Sequence, residues 1–292
     1  MKSEIFERII NEMPKATEFT KWFEYDLEKQ CWKAVQYEQD GSTTVEYSEM
    51  IEGEHHFMSG MEDEFLMFKK RPEYYVMQSV DFTGDIKYQY IRILIGCLLM
   101  RFRRIVKSEL PDAYIPRIQR CVEWLEDTDF YAAPASTQYH ESFEGGLLVH
   151  TAKVHSHIIR LLQTYAFNKC CIDSAVLVGL CHDWCKIGLY ESFMRNVKDD
   201  NGNWVQVESF KHAENIMIPL GHGVSSMFLM SRFLNLSASE SLAIRWHMGP
   251  WNVAPNEMND LQAANEKEPL VHLLQFADQL SITNYSDAIL GN

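Results

Sequence analysis

Ionisable side chains set into apolar helical faces constrain this chain more than any other feature of its sequence. From Tyr114 to the C-terminus nearly every segment has helical periodicity. Residues 147, 150, 154, 158 and 161 share one face, so His150 points the same way as Leu147, Val154, Ile158 and Leu161. Asp278 shares a face with Leu270, Leu274 and Ala277. His182 and Asp183 are consecutive, project about 100° apart on a helix, and can straddle one ion. Imidazoles and carboxylates directed into a core are costly to bury unless something satisfies them, and a divalent cation does so at once. Mixed nitrogen and oxygen ligation suits Mn, Fe, Co, Ni or Zn, with Mg as a further candidate; Ca prefers oxygen alone.

Five segments carry these residues. His150 closes Glu144-Gly145-Gly146-Leu147-Leu148-Val149-His150, and His182-Asp183 is followed by Trp184-Cys185-Lys186-Ile187-Gly188. His222 lies between Gly221 and Gly223, His247 in Arg245-Trp246-His247-Met248-Gly249, and Asp278 in Phe276-Ala277-Asp278-Gln279-Leu280. The order His…His-Asp…Asp, with Lys and Gly after the pair, resembles the HD-domain superfamily of metal-dependent phosphohydrolases over roughly residues 135–285. The Gly-Gly-Leu-Leu-Val-His-Thr stretch is especially similar to HD proteins that include bacterial 3′–5′ exoribonucleases.

The resemblance implies that His150, His182, Asp183 and Asp278 hold one divalent ion. His222 and His247 stand where two-metal members carry additional histidines, and Asp183 would then bridge both ions. It implies an enzyme, a phosphoric ester hydrolase that cleaves a phosphoester bond of a nucleotide with metal-activated water. Asp183 and Lys186 are the expected catalytic residues. Lys186 follows His182 by four residues, so on a continuing helix its ammonium reaches over the ligand face and offsets charge on the phosphoryl group. His140 and Arg195 flank the metal-bearing segments and are further candidates for meeting a phosphate. Two alternatives stand beside this reading: a 3′–5′ exonuclease or cyclic-nucleotide phosphodiesterase, and a catalytically inactive nucleotide-sensing HD module.

The other histidines have blander expectations. His157 lies about 10 Å along the helix axis from His150, too far to share an ion. His155, His157, His212 and His272 are expected to be structural or exposed, and His55-His56 to lie in a polar loop. Cys181 and Cys185 flank the His-Asp pair, but no second pair at finger spacing accompanies them, so they are expected to pack as small apolar groups.

The net charge of −14 speaks against a duplex-DNA binder, which needs clustered Lys and Arg, but leaves room for a small nucleotide held by a metal. Short single-stranded nucleic acid is the second candidate substrate, and self-association is open. The seven cysteines are odd in number and follow a charged, amphipathic start rather than a signal sequence, which suits reduced thiols in a cytoplasm. The apolar run Ile91–Met100 is too short to span a bilayer, so no membrane association is expected.

The expected organisation is mainly α: a small α+β region of unassigned role over 1–110 and an all-helical HD bundle over 111–292. The first region should hold a helix over Ser3–Met13 and a β-hairpin between Cys31 and Ile51 around Asp40-Gly41. A long helix over Lys87–Leu110 should follow, ending in a solvated basic group of Arg101, Arg103, Arg104 and Lys107. A shorter helix covers Ile115–Leu125, and a polar loop Asp127–Glu144. Helices are then expected at about 145–166, 172–186, 222–235, 238–248 and 269–283, with residues 199–203 as a turn in a long connection. Ser237 and Glu240 form a capping-box pattern, and Pro269 suits a first helical turn.

Overall fold

Helix forms wherever apolar residues recur at helical spacing, and the chain is mainly helical with small antiparallel sheets. The computed structural model describes residues 21–26, 28–37, 42–52, 54–58, 61–106, 115–164, 170–214 and 218–282. The helix expected over Ser3–Met13, and Lys107, lie outside the described residues. The chain divides into two compact units, Met1–Glu123 with Ile159–Leu177 and Trp124–Ile158 with Val178–Asn292.

In the first unit β1 (Lys21–Asp26), β2 (Cys31–Tyr37) and β3 (Thr43–Tyr47) form an antiparallel sheet in that order. β2 and β3 pair as the expected hairpin strands, from Lys33↔Tyr47 to Tyr37↔Thr43, and β1 extends the sheet; the expected Asp40-Gly41 turn lies outside the described residues. A separate ribbon joins β4 (Glu49–Ile51) to β5 (Glu54–His56). His55 is therefore not in a polar loop. It is buried on β5, 3.1 Å from Ser48 Oγ, which also accepts the Trp32 N–H at 2.9 Å.

α1 (Glu62–Lys70), α2 (Glu73–Val76) and α3 (Ile86–Val106) follow, and α4 (Ile115–Glu126) matches its expected range within a residue. Phe23, Trp32, Phe57 and Phe65 pack with ring centroids 4.9–5.7 Å apart. Ile91–Leu99 of α3 is buried. The basic end of α3 is solvated only in part: Arg101 is buried, Arg103 donates to Lys70 O, and the exposed Arg104 pairs with Asp173 at 2.9 Å.

The second unit takes most of α5 (Gly146–Thr164) and the end of α6 (Ile172–Cys181). It continues through α7 (His222–Met230), α8 (Ala238–Trp246), α9 (Met258–Lys267) and α10 (Pro269–Ser281). Leu147, His150, Val154, Ile158 and Leu161 are buried along one face of α5, as expected. Leu270, Leu274 and Ala277 are buried on α10 around the partly buried Asp278. Ser237 and Glu240 close the capping box on α8, and Pro269 opens α10.

The expected all-helical body is corrected in three places. The connection after Lys186 is a β-hairpin, β6 (Tyr190–Lys198) with β7 (Trp204–His212). Its turn is held by Asp199 Oδ1, which accepts the N–H groups of Asn201 and Asn203, and by Gly202 at φ 83°. α9 escapes sequence reading because only Leu261 and Ala264 of it are buried, leaving no continuous apolar stripe. α6 stops at Cys181, Asp183 sits at φ −104°, ψ 17°, and Trp184–Lys186 is a single 3₁₀ turn.

Two helices meet backbone to backbone at Gly223. A Cβ there would lie 2.4 Å from Ile244 O and 2.7 Å from Arg245 O, so α7 approaches α8 only because the residue after His222 has no side chain. Gly223→Ala is expected to destabilise the protein by about 1–3 kcal/mol, read as a lowered Tm in thermal unfolding. An unchanged Tm would show that the helices separate at no cost.

Candidate metal centre

α5 supplies His150, the turn after α6 supplies His182 and Asp183, α7 begins with His222, His247 follows α8, and Asp278 comes from α10. These six meet. His150, His182 and Asp183 place ligand atoms within 4.8 Å of one another, as do His182, His247 and Asp278, and Asp183, His222 and His247. His150, His182, Asp183 and His247 are 3% exposed or less.

Hydrogen bonds on the far sides of the rings fix what faces the middle. His182 Nδ1 lies 2.8 Å from Gly179 O and His247 Nδ1 2.7 Å from Ile244 O. A carbonyl only accepts, so each Nδ1 carries the proton and donates it. Ser281 Oγ donates its hydrogen to Asp278 O at 2.6 Å, leaving its lone pairs for His150 Nδ1–H at 3.1 Å. All three Nε2 atoms therefore turn inward, and all three are buried without a hydrogen-bond partner. Imidazoles oriented by an outer bond to Nδ1, with Nε2 left open, are the arrangement of histidine metal ligands.

The two oxygens of Asp183 face different imidazoles. Oδ2 lies 3.3 Å from His150 Nε2 and 3.4 Å from His182 Nε2, whereas Oδ1 lies 2.7 Å from His222 Nε2 and 3.6 Å from His247 Nε2. Asp278 Oδ1 lies 3.2 Å from His150 Nε2. The cluster is a buried His/Asp site able to hold a divalent metal ion, and one carboxylate joins its two halves.

Lys186 is in the cluster, although not by the expected route. The helix ends before it, yet the 3₁₀ turn brings its ammonium 2.7 Å from Asp183 Oδ2, with the side chain 8% exposed. Burial works against the Asp183 carboxylate, but Lys186 and His182 beside it hold its pKa well below the usual range. Burial alone would depress His150, yet the facing Asp183 and Asp278 carboxylates raise it to about 9. The His140 ring lies at the edge, 5.0 Å from the His150 ring, and burial, His150 and Lys186 lower its pKa to about 4. Arg195 is not brought in; it is exposed on β6 opposite Val207.

Cys181 and Cys185 join no metal-capable group among the described residues, and burial pushes the Cys185 thiol up to about 12. His155 and His157 are buried outside the cluster, His212 is exposed on β7, and the His272 ring stacks on Phe276.

Two residues escaped sequence reading. Ser281, three positions after Asp278, orients His150 and has no signal beyond that spacing. Glu141 accepts from Lys153 at 2.9 Å, with its other oxygen 3.9 Å from His150 Nδ1, and its backbone is left-handed at φ 40°. Its signal lay in Gly146: a Cβ there would sit 2.0 Å from Glu141 O, so the Gly-Gly pair admits the preceding loop over the start of α5.

Comparison of the chain with protein-family models, with curated proteins and with solved structures finds no match.

Asp183→Asn keeps the shape of the shared side chain and removes its charge. Elemental analysis after metal loading and desalting is expected to fall from about two ions per chain to near none, with helical circular dichroism retained. Full metal content in that variant would remove Asp183 from the ligand set. The raised His150 pKa gives a second expectation. Below about 9 the metal-free ring carries an extra proton that an ion must displace, so metal affinity should rise from pH 6.5 towards pH 9. Competition titrations across that range check the sign.

Proposed function

We propose that the protein is a metal-dependent phosphohydrolase of the HD-domain type, cleaving the phosphoester bond of a nucleotide. The observation that carries this reading is the convergence of three Nε2 atoms without hydrogen-bond partners on the buried Asp183 and partly buried Asp278 carboxylates, with a buried lysine at Asp183. His150, His182 and Asp278 with Asp183 Oδ2 would hold one divalent ion, and His222 and His247 with Asp183 Oδ1 a second. Such ions, when bound, supply a water of lowered pKa and polarise a phosphoryl oxygen.

Charge supports an anionic substrate. Asp183 and Asp278 against Lys186 leave one negative charge, which the His150 proton balances; a divalent ion that displaces this proton turns the balance positive. Lys186 has three donors and no acceptor. With Asp183 taken up by an ion, its nearest use is a phosphoryl oxygen, whose charge redistributes in the transition state. His140, neutral near pH 7, adds a hydrogen-bonding group at the edge without further charge. The acidic chain favours a small nucleotide over a long polyanion.

The exonuclease alternative rests on the Gly-Gly-Leu-Leu-Val-His-Thr resemblance. Among the described residues the N-terminal strands make a three-stranded sheet and a separate ribbon, not a five-stranded barrel, and add nothing to it. An inactive sensing module would have no use for so many ligand-type side chains aimed at one buried point.

The test is a screen of nucleotides and short oligonucleotides with Mn, Co, Ni, Mg and Zn, with products identified by mass. Metal-dependent release of a nucleoside or inorganic phosphate is expected, and no turnover with any metal would overturn the reading. With the substrate found, Lys186→Ala should lower kcat about a hundredfold while metal content holds. Unchanged kinetics in that variant would move the phosphate contact to His140.

A further inference from the structure

His222 also lines a cavity of ≈ 530 Å³ in the second unit, a size suited to a small-molecule ligand. His222 belongs both to this cavity and to the metal-capable group with Asp183 and His247. The remaining walls are mixed: Leu220, Val224, Trp251 and Val253 contribute apolar side chains beside Arg245 and Glu257. Trp251 is 82% exposed and Leu220 51%, so two large apolar side chains stand in water at a cavity that adjoins a buried polar cluster.

Position and charge narrow the occupant. Trp251 lies in the 3₁₀ turn Gly249–Asn252, four residues after His247, on a segment pinned where Gln275 Nε2 donates to Trp246 O at 2.8 Å. Apart from His222, the ionic residues lining the cavity are Arg245 and Glu257, which pair with each other at 2.7 Å. Arg245 also lies 4.1 Å over the Trp246 ring. The cavity therefore offers an exposed indole, aliphatic side chains and hydrogen-bonding groups, with a self-neutralised ion pair in place of free charge. That suits a flat, uncharged heterocycle and not a phosphate. A ligand filling both regions has a planar ring at one end and an anionic group at the other.

We propose that this cavity holds the base of the nucleotide, stacked on Trp251, with the phosphoester extending past His222 to the His/Asp cluster. The inference rests on the phosphohydrolase reading for its substrate class, but base binding itself needs no turnover. Stacking of a base on an aromatic side chain is worth about tenfold or more in affinity.

The experiment is equilibrium dialysis of the full chain against the four ribonucleosides, none of which carries a phosphoester, with ribose 5-phosphate as the base-free control. At least one nucleoside should bind saturably. Trp251→Leu should weaken it about tenfold or more, and Ala254→Trp, which fills the cavity from another wall, should do the same. Trp251 and Ala254 are exposed, so neither change threatens the core, and metal content should be unaltered. Absence of nucleoside binding, or equal affinity in both variants, would overturn the proposal. Trp251-dependent nucleoside binding without turnover of any phosphoester would keep the base site and sink the hydrolase. Nucleotide hydrolysis indifferent to both substitutions would do the reverse.

Discussion

The Asp183 carboxylate is 3% exposed and has five nitrogen-bearing side chains around it, with Lys186 and His222 both at 2.7 Å and three further imidazoles at 3.3–3.6 Å. Taking such a charge out of water costs several kcal/mol unless partners meet it in good geometry. Much of the second unit's local architecture serves that requirement. α5 brings His150, the start of α7 brings His222, and the end of α8 brings His247, so three chain segments far apart in sequence must converge on one side chain. Gly223 lets α7 come close to α8, and Gly146 lets the loop carrying His140 and Glu141 close over α5.

The end of α6 matters as much as any helix. An α-helix continued through Lys186 would leave His182, Asp183 and Lys186 to fixed angular positions on one cylinder. Stopping at Cys181 frees the next residues. Asp183 leaves helical geometry, the 3₁₀ turn swings Lys186 back onto it, and Cys185 N–H is held by Ser226 Oγ at 2.9 Å. Gly188 closes the turn at φ 65°, with its N–H bonded to Asp129 at 2.9 Å. The Lys-x-Gly that follows His-Asp in the sequence is thus the signature of a helix end, not of a helix interior.

What could be read in advance follows from where the periodicity is strong. The buried faces of α5 and α10 were legible because each carries apolar residues at unbroken helical spacing, and the same spacing pointed His150 and Asp278 inward. The capping box of α8 was legible because its chemistry is local. β6 and β7 were not: a two-stranded hairpin exposed along much of its length has no buried face to impose strict alternation, and Phe193, Met194, Trp204 and Val205 stand in solvent. Glu141 and Ser281 act through tertiary contacts with His150, which no local pattern encodes. Lys186 reached its site through a turn, so its assignment rested on helical spacing that the chain does not use.

The metal-free cluster already answers its own charge with protons and one ammonium. Lys186 sits on Asp183, and His150 retains a proton near neutral pH under the influence of two carboxylates. Both are exchangeable for a divalent ion, the first by movement of a flexible side chain and the second by release of a proton to water. The Nδ1 bonds to Gly179, Ile244 and Ser281 need not change in that exchange, because they lie on the outer sides of the rings. Ligand orientation is therefore set by the fold before any ion arrives, and what an ion alters is the charge between the rings. His222, the side chain common to the cluster and the Trp251 cavity, is held instead from the inner side, with its Nε2 2.7 Å from Asp183 Oδ1.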